Sequence, residues 1–511
     1  MNRTALKFSR LLPALYLLPA ACAVLFTAAE FFEIDSFSAL LNSDTLFIIR
    51  STLIQSSLST LLCFMISIGP VIFISRNRQD NFLSNIIRIT FFIPYYYPVV
   101  STIISFSIIF SGYFLKFQYS LFSIVTAHVF YNSPVMVKYL SESIVKIKRE
   151  IHESAVLETR SYFSIFRHIS MPLIIKSFSR AFFIVFSFCF TSFGVILALG
   201  NIRYSNLEIS IFTSLNTNLD FSSALGYGFI QFAVLAIINF FASRTGSPEL
   251  LIENYPSSNT WNLKETFFSV LYAAFEFLIV SLPLICFFAF THEKKTNYMK
   301  IIFSEKFNTD FPVIRSIMNS FVLSSLSALS VTFITYILLK KNSKSGEMII
   351  TSAIGISTAL LSISFLYVSI IFGINPYLIM LAGFMTLSIP YSYSLMHQHV
   401  TGFNRSMLEA ALLETKSSLK RFFSIELPVI YPVLILNFLN VFAIIYGEFT
   451  FAYIFNSGNS LPLVSTTGYS IASRRLLGET YALNTFNSFF IIMIFGLIFF
   501  ISSKLKTGRS K

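Results

Sequence analysis

The residues of this chain that could do chemistry are few, and they do not form the patterns of a catalytic site. The four cysteines, Cys22, Cys63, Cys189 and Cys286, lie within apolar runs and none forms a C-x-x-C pair, so we interpret them as small core residues. The chain also has no Gly-Lys dipeptide, no G-x-S-x-G and no H-E-x-x-H. We therefore predict no metal site, no cofactor and no enzymatic activity of its own.

One carboxylate lies where a carboxylate is costly. Glu448 falls within an apolar run long enough to cross a membrane, and an ionisable group in such a position is a functional candidate. It could face a translocation path or sense a gate. A structural bond to a neighbouring helix, or a position near the outer water, explains it equally well.

The composition indicates a membrane protein. The chain has 511 residues, of which 55% are apolar and 12% are charged, with a mean hydropathy of +0.71. A soluble domain has about a quarter of its residues charged, so this chain cannot cover a water-facing surface. The net charge of +13 comes mostly from basic residues at the ends of apolar runs, where they set orientation in the membrane. We expect a lipid bilayer around the chain and no nucleic acid as a partner.

The apolar runs predict an all-α integral membrane protein with about twelve spans. Their centres lie near residues 22, 64, 98, 130, 190, 234, 278, 328, 360, 388, 443 and 494. The first run, from Leu11 to about Phe32, is long for a signal peptide and favours a retained span. With the N-terminus in the cytoplasm, most Lys and Arg residues fall on the cytoplasmic side, and the C-terminus returns there. The loop containing Lys294, Lys295 and Lys300 opposes this orientation. We expect a multi-pass protein of the bacterial inner membrane.

The sequence repeats at an offset of 256 residues. Pro134 corresponds to Pro390, and the offset holds without a gap through the following 40 or so residues. We predict two homologous six-helix halves in parallel orientation, residues 1–245 and 266–511, joined by a cytoplasmic linker over 246–265.

A cytoplasmic loop with a defined residue spacing occurs in both halves. In the first half it covers residues 150–172 and carries Glu153, Ala155, Thr159, Ile169 and Pro172. In the second half it covers residues 406–428. Its corresponding residues are Glu409, Ala410, Ala411, Thr415, Ile425 and Pro428. Small residues allow close approach to a partner, and a glutamate can accept charge-assisted bonds from a partner arginine.

This duplicated loop resembles the E-A-A, three, G, nine, I-x-L-P loop of the permease subunits of binding-protein-dependent ABC importers. In that family the loop docks into a cytoplasmic ATPase subunit. The resemblance implies two ATPase copies, an external substrate-binding protein, and ATPase coupling through the residues named above. The first copy carries Thr159 and the second Thr415 at the position where the family has glycine. Glycine suits a left-handed backbone position better than a β-branched residue does.

A second segment is similar to fused iron(III) and thiamine importer permeases. It runs over residues 191–200 as TSFGVILALG and is followed by Asn206-Leu207-Glu208-Ile209. The resemblance implies thiamine or a related small molecule as substrate, ferric iron as the alternative, and polyamines as a more distant one. A different class, a gradient-driven secondary transporter with two parallel six-helix halves, would also fit the span count. That alternative gives no reason for the repeated loop.

Overall fold

The computed structural model describes residues 3–31, 42–76, 82–110, 117, 119–145, 151, 154, 157–158, 162–200, 204–244, 263–340, 346, 349–350, 353, 356–401, 422–455 and 461–508. Within these residues the secondary structure is helical and contains no strand. Only helices and closed barrels satisfy their backbone hydrogen bonds in lipid. The prediction of an all-α integral membrane protein is therefore confirmed.

Nine helices of six or more residues are described before residue 245. They are α1 (Arg3–Phe31), α2 (Ser43–Arg76), α3 (Phe82–Tyr96), α4 (Val99–Phe110), α5 (Leu121–Val145), α6 (Met171–Phe190), α7 (Gly194–Leu199), α8 (Leu207–Asn216) and α9 (Phe221–Arg244). A short helix, Tyr162–Ile165, and a π-helical turn, Phe166–Ser170, precede α6.

Ten helices are described after residue 262. They are α10 (Leu263–Lys294), α11 (Tyr298–Ile302), α12 (Glu305–Asp310), α13 (Val313–Lys340), α14 (Thr358–Phe372), α15 (Pro376–Thr401), α16 (Leu427–Tyr446), α17 (Thr450–Phe455), α18 (Val464–Ser473) and α19 (Leu477–Gly508). A π-helical turn, Phe422–Glu426, precedes α16.

The helix boundaries recur at the same offset as the sequence. Helix α16 begins and ends 256 residues after α6, α17 does so relative to α7, and the two π-helical turns are related in the same way. Helices α9 and α19 also begin 256 residues apart. The similarity between the two parts of the chain therefore extends from residue types to backbone conformation.

Six of the described helices are long and apolar enough to cross a membrane: α2, α9, α10, α13, α15 and α19. Shorter apolar segments lie in α1, α6, α14 and α16, and α3 and α4 form a pair bent by 101°. Helix α5 lies where the span centred near residue 130 was predicted. The number of crossings, about twelve, stays a prediction.

Three predicted spans differ in detail from the helices. The span centred near residue 98 is broken there, because Pro98 has no N–H and disfavours helical backbone at Tyr97. The spans centred near 190 and 443 lie too late in the chain, since α6 ends at Phe190 and α16 at Tyr446. In both places the apolar run continues into the next short helix, so hydropathy conceals the break.

The first helix of each predicted half packs against the other half. Helix α1 contacts α14 and α15, and α10 contacts α2, α3 and α4. The Tyr16 hydroxyl donates to the Ile350 carbonyl (3.2 Å), and the Tyr97 hydroxyl donates to the Val280 carbonyl (3.0 Å). Each half therefore packs its first helix against the other half, and these contacts hold the two parts of the chain together.

Corresponding residues of the repeat meet at the centre of this core. The rings of Phe193 and Phe449, which are 256 positions apart, stack with centroids 6.3 Å apart and an interplanar angle of 30°, and both are almost completely buried. A residue contacts its own equivalent only near a two-fold axis. The apolar cluster around this pair also contains Val100, Ala359 and Ile363.

We predict opposite effects on stability for two glycine substitutions. In Gly383→Ala, the new Cβ would lie 2.1 Å from Cζ of the buried Phe451 ring, so we expect overpacking to cost about 1–3 kcal/mol. Gly496 on α19 is exposed and has nothing within 4 Å of a new Cβ. Gly496→Ala should therefore be neutral or stabilising by about 0.5–1 kcal/mol. Thermal denaturation of the purified protein in one detergent measures both, and equal losses would contradict the close approach at Gly383.

Candidate functional site

The described ends of the two predicted coupling loops have the same local structure. Ile169 lies partly buried in the first π-helical turn, and Ile425 occupies the equivalent backbone position in the second. Pro172 and Pro428 are exposed and lie in the first turn of α6 and α16. A proline is tolerated there because the N–H it lacks would have no helical partner. Each loop thus ends at a proline that starts the following long helix.

The other predicted coupling residues lie outside the described residues. These are Glu153, Ala155, Thr159, Glu409, Ala410, Ala411 and Thr415. Two residues between Ala155 and Thr159 are described. Leu157 is 88% exposed, and Glu158 beside it is also exposed. An apolar side chain so fully exposed is available for contact with another protein.

An ion pair between a buried carboxylate and an exposed lysine fixes the end of the second loop. Glu426, next to Ile425, is 5% exposed and accepts hydrogen bonds from the Lys340 ammonium (2.6 Å) and the Tyr336 hydroxyl (2.8 Å). Lys340 and Tyr336 belong to α13. The base of α16 is therefore held to α13, and displacement of the loop would be transmitted to both helices.

A cleft lies between the two parts of the chain. Its empty volume is about 450 Å³, including the space open to solvent. Tyr95 and Tyr96 of α3, Tyr139 of α5 and Phe188 of α6 line one side, and Tyr391 of α15 lines the other. The Tyr95 and Tyr391 rings lie 5.6 Å apart between centroids. Aromatic faces from both parts of the chain therefore border one space.

Hydroxyl groups connect the walls of this cleft. Tyr139 and Ser394 form a hydrogen bond of 2.6 Å between their hydroxyl oxygens, and the Tyr96 hydroxyl donates to the Asn440 side-chain oxygen. Lys138 is the one charged residue of the lining, and it is half-buried. The hydrogen bonds hold α5 to α15 and α3 to α16, so the cleft is narrowed where the two parts meet.

Glu448 lies at the break between α16 and α17. Its carboxylate accepts hydrogen bonds from the N–H groups of Phe451 (2.9 Å) and Ala452 (3.1 Å) in the first turn of α17. Ser465 donates to the Glu448 carbonyl at 2.7 Å. These contacts match one explanation offered by the sequence, a structural bond to a neighbouring helix. Glu448 is not among the residues that line the cleft. Its role in a translocation path stays a prediction.

The Asn-Leu-Glu segment organises the break after α6. The Asn206 side chain accepts from the Ile209 N–H (3.0 Å) and donates to the Ser192 carbonyl (2.7 Å), while the Leu207 N–H donates to the Thr52 hydroxyl (3.2 Å). Glu208 is completely buried and hydrogen-bonded across the interface between the two parts of the chain. From sequence alone, Glu208 belongs to the Asn206-Leu207-Glu208-Ile209 segment and has no predicted role. A carboxylate between apolar neighbours is the signal that could have identified it.

Within the described residues, no group of His, Cys, Asp or Glu side chains could hold a metal ion. Cys63 and Cys189 are buried near hydroxyl and amide groups of neighbouring helices, and Asn132 contacts Cys189. The cleft, the helix breaks and the loop ends are therefore the features from which a function can be argued.

The chain is similar to curated proteins named thiamine transport system permease protein ThiP. It is 30% identical over 173 residues to the protein of Brucella abortus (strain 2308), a match that covers 32% of each chain. It is 27% identical over 127 residues to the Haemophilus influenzae protein, covering 25% of this chain and 24% of that one. The Salmonella typhimurium protein is 29% identical over 114 residues, covering 22% and 21% respectively.

The matches cover only part of this chain and part of each relative. The matched region spans about a third of the length of the Brucella relatives, and no protein-family model matches the chain. The predicted resemblance to transporter permeases is nevertheless confirmed, because these relatives are named as permeases and the described part of the chain is a multi-pass helical membrane protein.

Proposed function

We propose that this chain is the membrane-spanning permease subunit of an ATP-driven importer. The observation that carries the proposal is the aromatic cleft between two repeated parts of the chain, which meet at the Phe193–Phe449 contact. Two-fold related parts around a central space suit alternating access, in which rigid bodies move around a fixed site. The similarity to named transport permeases supports the same reading.

The domain organisation follows from the repeat. Residues 1–245 form the first permease half and residues 266–511 the second, with the linker 246–265 between them. The equal spacing of α6, α7 and the π-helical turns with their later equivalents supports this division. Both termini and both coupling loops lie in the cytoplasm of a bacterium, because the basic residues are concentrated on that side.

Two copies of a separate ATPase subunit dock on the two loops. Glu153 and Glu409 bond a basic group of the ATPase, while Ala155, Ala410 and Ala411 allow close approach. The exposed Leu157 adds apolar contact area in the first loop. Movement of each loop reaches the helices at Pro172 and Pro428, where α6 and α16 begin. In the second half, the Glu426–Lys340 pair carries the same movement to α13.

The substrate is thiamine or a related small organic molecule, delivered by an external binding protein. Aromatic faces attract organic cations and stack on flat rings, and four tyrosines border the cleft. Ferric iron, the alternative, prefers anionic oxygen ligands. The described lining has no carboxylate, so what it offers a substrate is mainly aromatic faces and hydroxyl groups.

We predict that charge reversal in both loops releases the ATPase. In the Glu153→Arg, Glu409→Arg double variant, two bonds to basic groups become repulsions, so the co-purified ATPase should fall at least about tenfold. The measurement is quantitative immunoblotting after purification from native membranes. Glu305→Arg, an exposed charge reversal on α12, is the matched control and should retain the ATPase. If no ATPase accompanies even the unmodified chain, gradient-driven transport becomes the leading function.

We also predict that the tyrosine cleft governs uptake. Tyr391→Ala removes an aromatic face, and an aromatic contact contributes about 0.5–1.5 kcal/mol, so initial thiamine uptake should fall about two- to tenfold. Tyr377→Ala, at a 38% exposed aromatic outside the cleft on the same helix, is the control. Radiolabelled uptake into cells expressing equal amounts of each variant measures the effect. Equal rates for Tyr391→Ala and the unmodified chain would exclude the cleft from the path.

A further inference from the structure

Glu208 lies at the beginning of α8 and is 0% exposed. Four hydrogen-bond donors surround its carboxylate. One oxygen accepts from the Gln231 amide (2.7 Å) and the Thr358 N–H (3.1 Å), and the other accepts from the Ser357 hydroxyl (3.0 Å) and the Ala359 N–H (3.2 Å). Because two of the donors are backbone N–H groups, which cannot accept, the geometry requires acceptor oxygens on Glu208.

These bonds join the first half to the second. Gln231 lies on α9, next in sequence to α8, whereas Ser357, Thr358 and Ala359 form the start of α14, about 150 residues later in the chain. The helices pack closely beside the carboxylate. A Cβ at Gly228, one turn before Gln231, would lie 2.6 Å from Leu360 Cδ2. Glu208 therefore acts at a tight contact between α9 and α14.

Glu208 completes the hydrogen bonding at the start of α14. The first four N–H groups of a helix have no partner within the helix. Here Thr358 and Ala359 donate to Glu208, Leu360 donates to the Ser357 hydroxyl (3.1 Å) and Leu361 donates to the Ser357 carbonyl (3.0 Å). The positive end of the helix dipole also favours an anion at this position. Separation of α8 from α14 would leave two buried N–H groups without acceptors.

The repeat does not reproduce this carboxylate. Helix α18 begins 257 residues after α8, so the residue equivalent to Glu208 is Ser465, the second residue of α18. The backbone arrangement is retained, since the Val464 N–H donates to the Ser320 hydroxyl (2.9 Å) much as the equivalent Leu207 N–H donates to the Thr52 hydroxyl. Glu448 bonds α17 within its own half, and the buried Glu426 bonds Lys340 and Tyr336 of that same half. Among the described residues, Glu208 is thus the carboxylate that crosses the interface in this way, and it does so once.

We infer that Glu208 is a positioning residue that latches α14 of the second half to α8 and α9 of the first. The two halves can separate on this side only when its three hydrogen bonds to Ser357, Thr358 and Ala359 are broken. The inference rests on the proposed function, because the latch has meaning only if the halves move during transport. The single latch makes the two sides of the interface unequal: one is held by a buried carboxylate, and the other, between α4 and α19, by neutral bonds such as that from the Ser101 hydroxyl to the Asn484 side-chain oxygen (2.6 Å).

The first experiment asks whether the contact opens during the ATPase cycle. Glu208→Cys and Ser357→Cys are combined in a chain whose four native cysteines are replaced by alanine, and the complete transporter is treated with a short, reducible thiol cross-linker. We expect efficient cross-linking without nucleotide and at least about tenfold less in the vanadate-trapped state. Equal yields in both states would overturn the latch.

The same pair tests the consequence for transport. Cross-linked protein should lose thiamine uptake, and reduction should restore it. Uptake that persists in fully cross-linked protein would also overturn the inference. Failure of the proposed function is separately visible, because the unmodified complex would then neither take up thiamine nor hydrolyse ATP when the binding protein is added.

A single substitution keeps the inference testable if the cysteine pair does not fold. Glu208→Gln preserves shape, but its amide nitrogen cannot accept the bonds that one carboxylate oxygen accepts. A weaker latch should raise ATP hydrolysis in the absence of substrate about fivefold or more and lower uptake per ATP. Glu305→Gln, at an exposed glutamate on α12, is the control and should leave this ratio unchanged. A proportional loss of both activities in Glu208→Gln would indicate a purely structural role.

Discussion

The requirement that every buried backbone group be paired governs this structure, because its long helices are interrupted inside an apolar environment. In lipid an unpaired N–H or C=O group costs several kcal/mol, so interrupted helices persist only where other groups satisfy them. Side chains perform that task at each break. Asn206 bonds the carbonyl freed after α6, Glu448 bonds the N–H groups of α17, and Glu208 bonds those of α14. These three polar side chains therefore stabilise helix ends inside the apolar environment.

The two parts of the chain share a backbone plan but differ in the polar side chains that complete it. The π-helical turns, the proline-initiated helices and the short helices recur at one offset. Their interface is nevertheless unequal, since Glu208 corresponds to Ser465 by its position in the helix, and Ser192 corresponds to Glu448. A fused chain can accumulate such differences, whereas a dimer of identical subunits must place the same residue on both sides. A transporter built this way can open its halves unequally.

The proposed coupling of an ATPase to the membrane helices requires rigid connections, and the described ends of the two loops join directly onto long helices. Each loop leads through a π-helical turn directly into a helix that reaches the central break, and Glu426 fixes the second of these to α13. The tyrosine cleft lies between these helices and their neighbours. Tightly packed helices move as bodies rather than deforming continuously. Displacement at the loops would therefore be felt at the hydroxyl contacts that close the cleft, and at Glu208.

Hydropathy and spacing alone determined that the chain is helical and embedded in a membrane, because about 20 apolar residues are needed for each crossing. They also located the repeat and the Pro172 and Pro428 positions, since those depend on local residue order. They predicted one continuous span where the helix is interrupted at Tyr97–Pro98, and they misplaced the ends of α6 and α16. In each case apolar side chains continue across the interruption, so hydropathy does not reveal it. The partners of Glu208, about 150 residues away in sequence, and the aromatic cleft were decided by tertiary structure alone. Both depend on which helices of opposite halves pack together. Hydrophobic patterning marks every buried helix face in the same way, so it does not show which helices are neighbours.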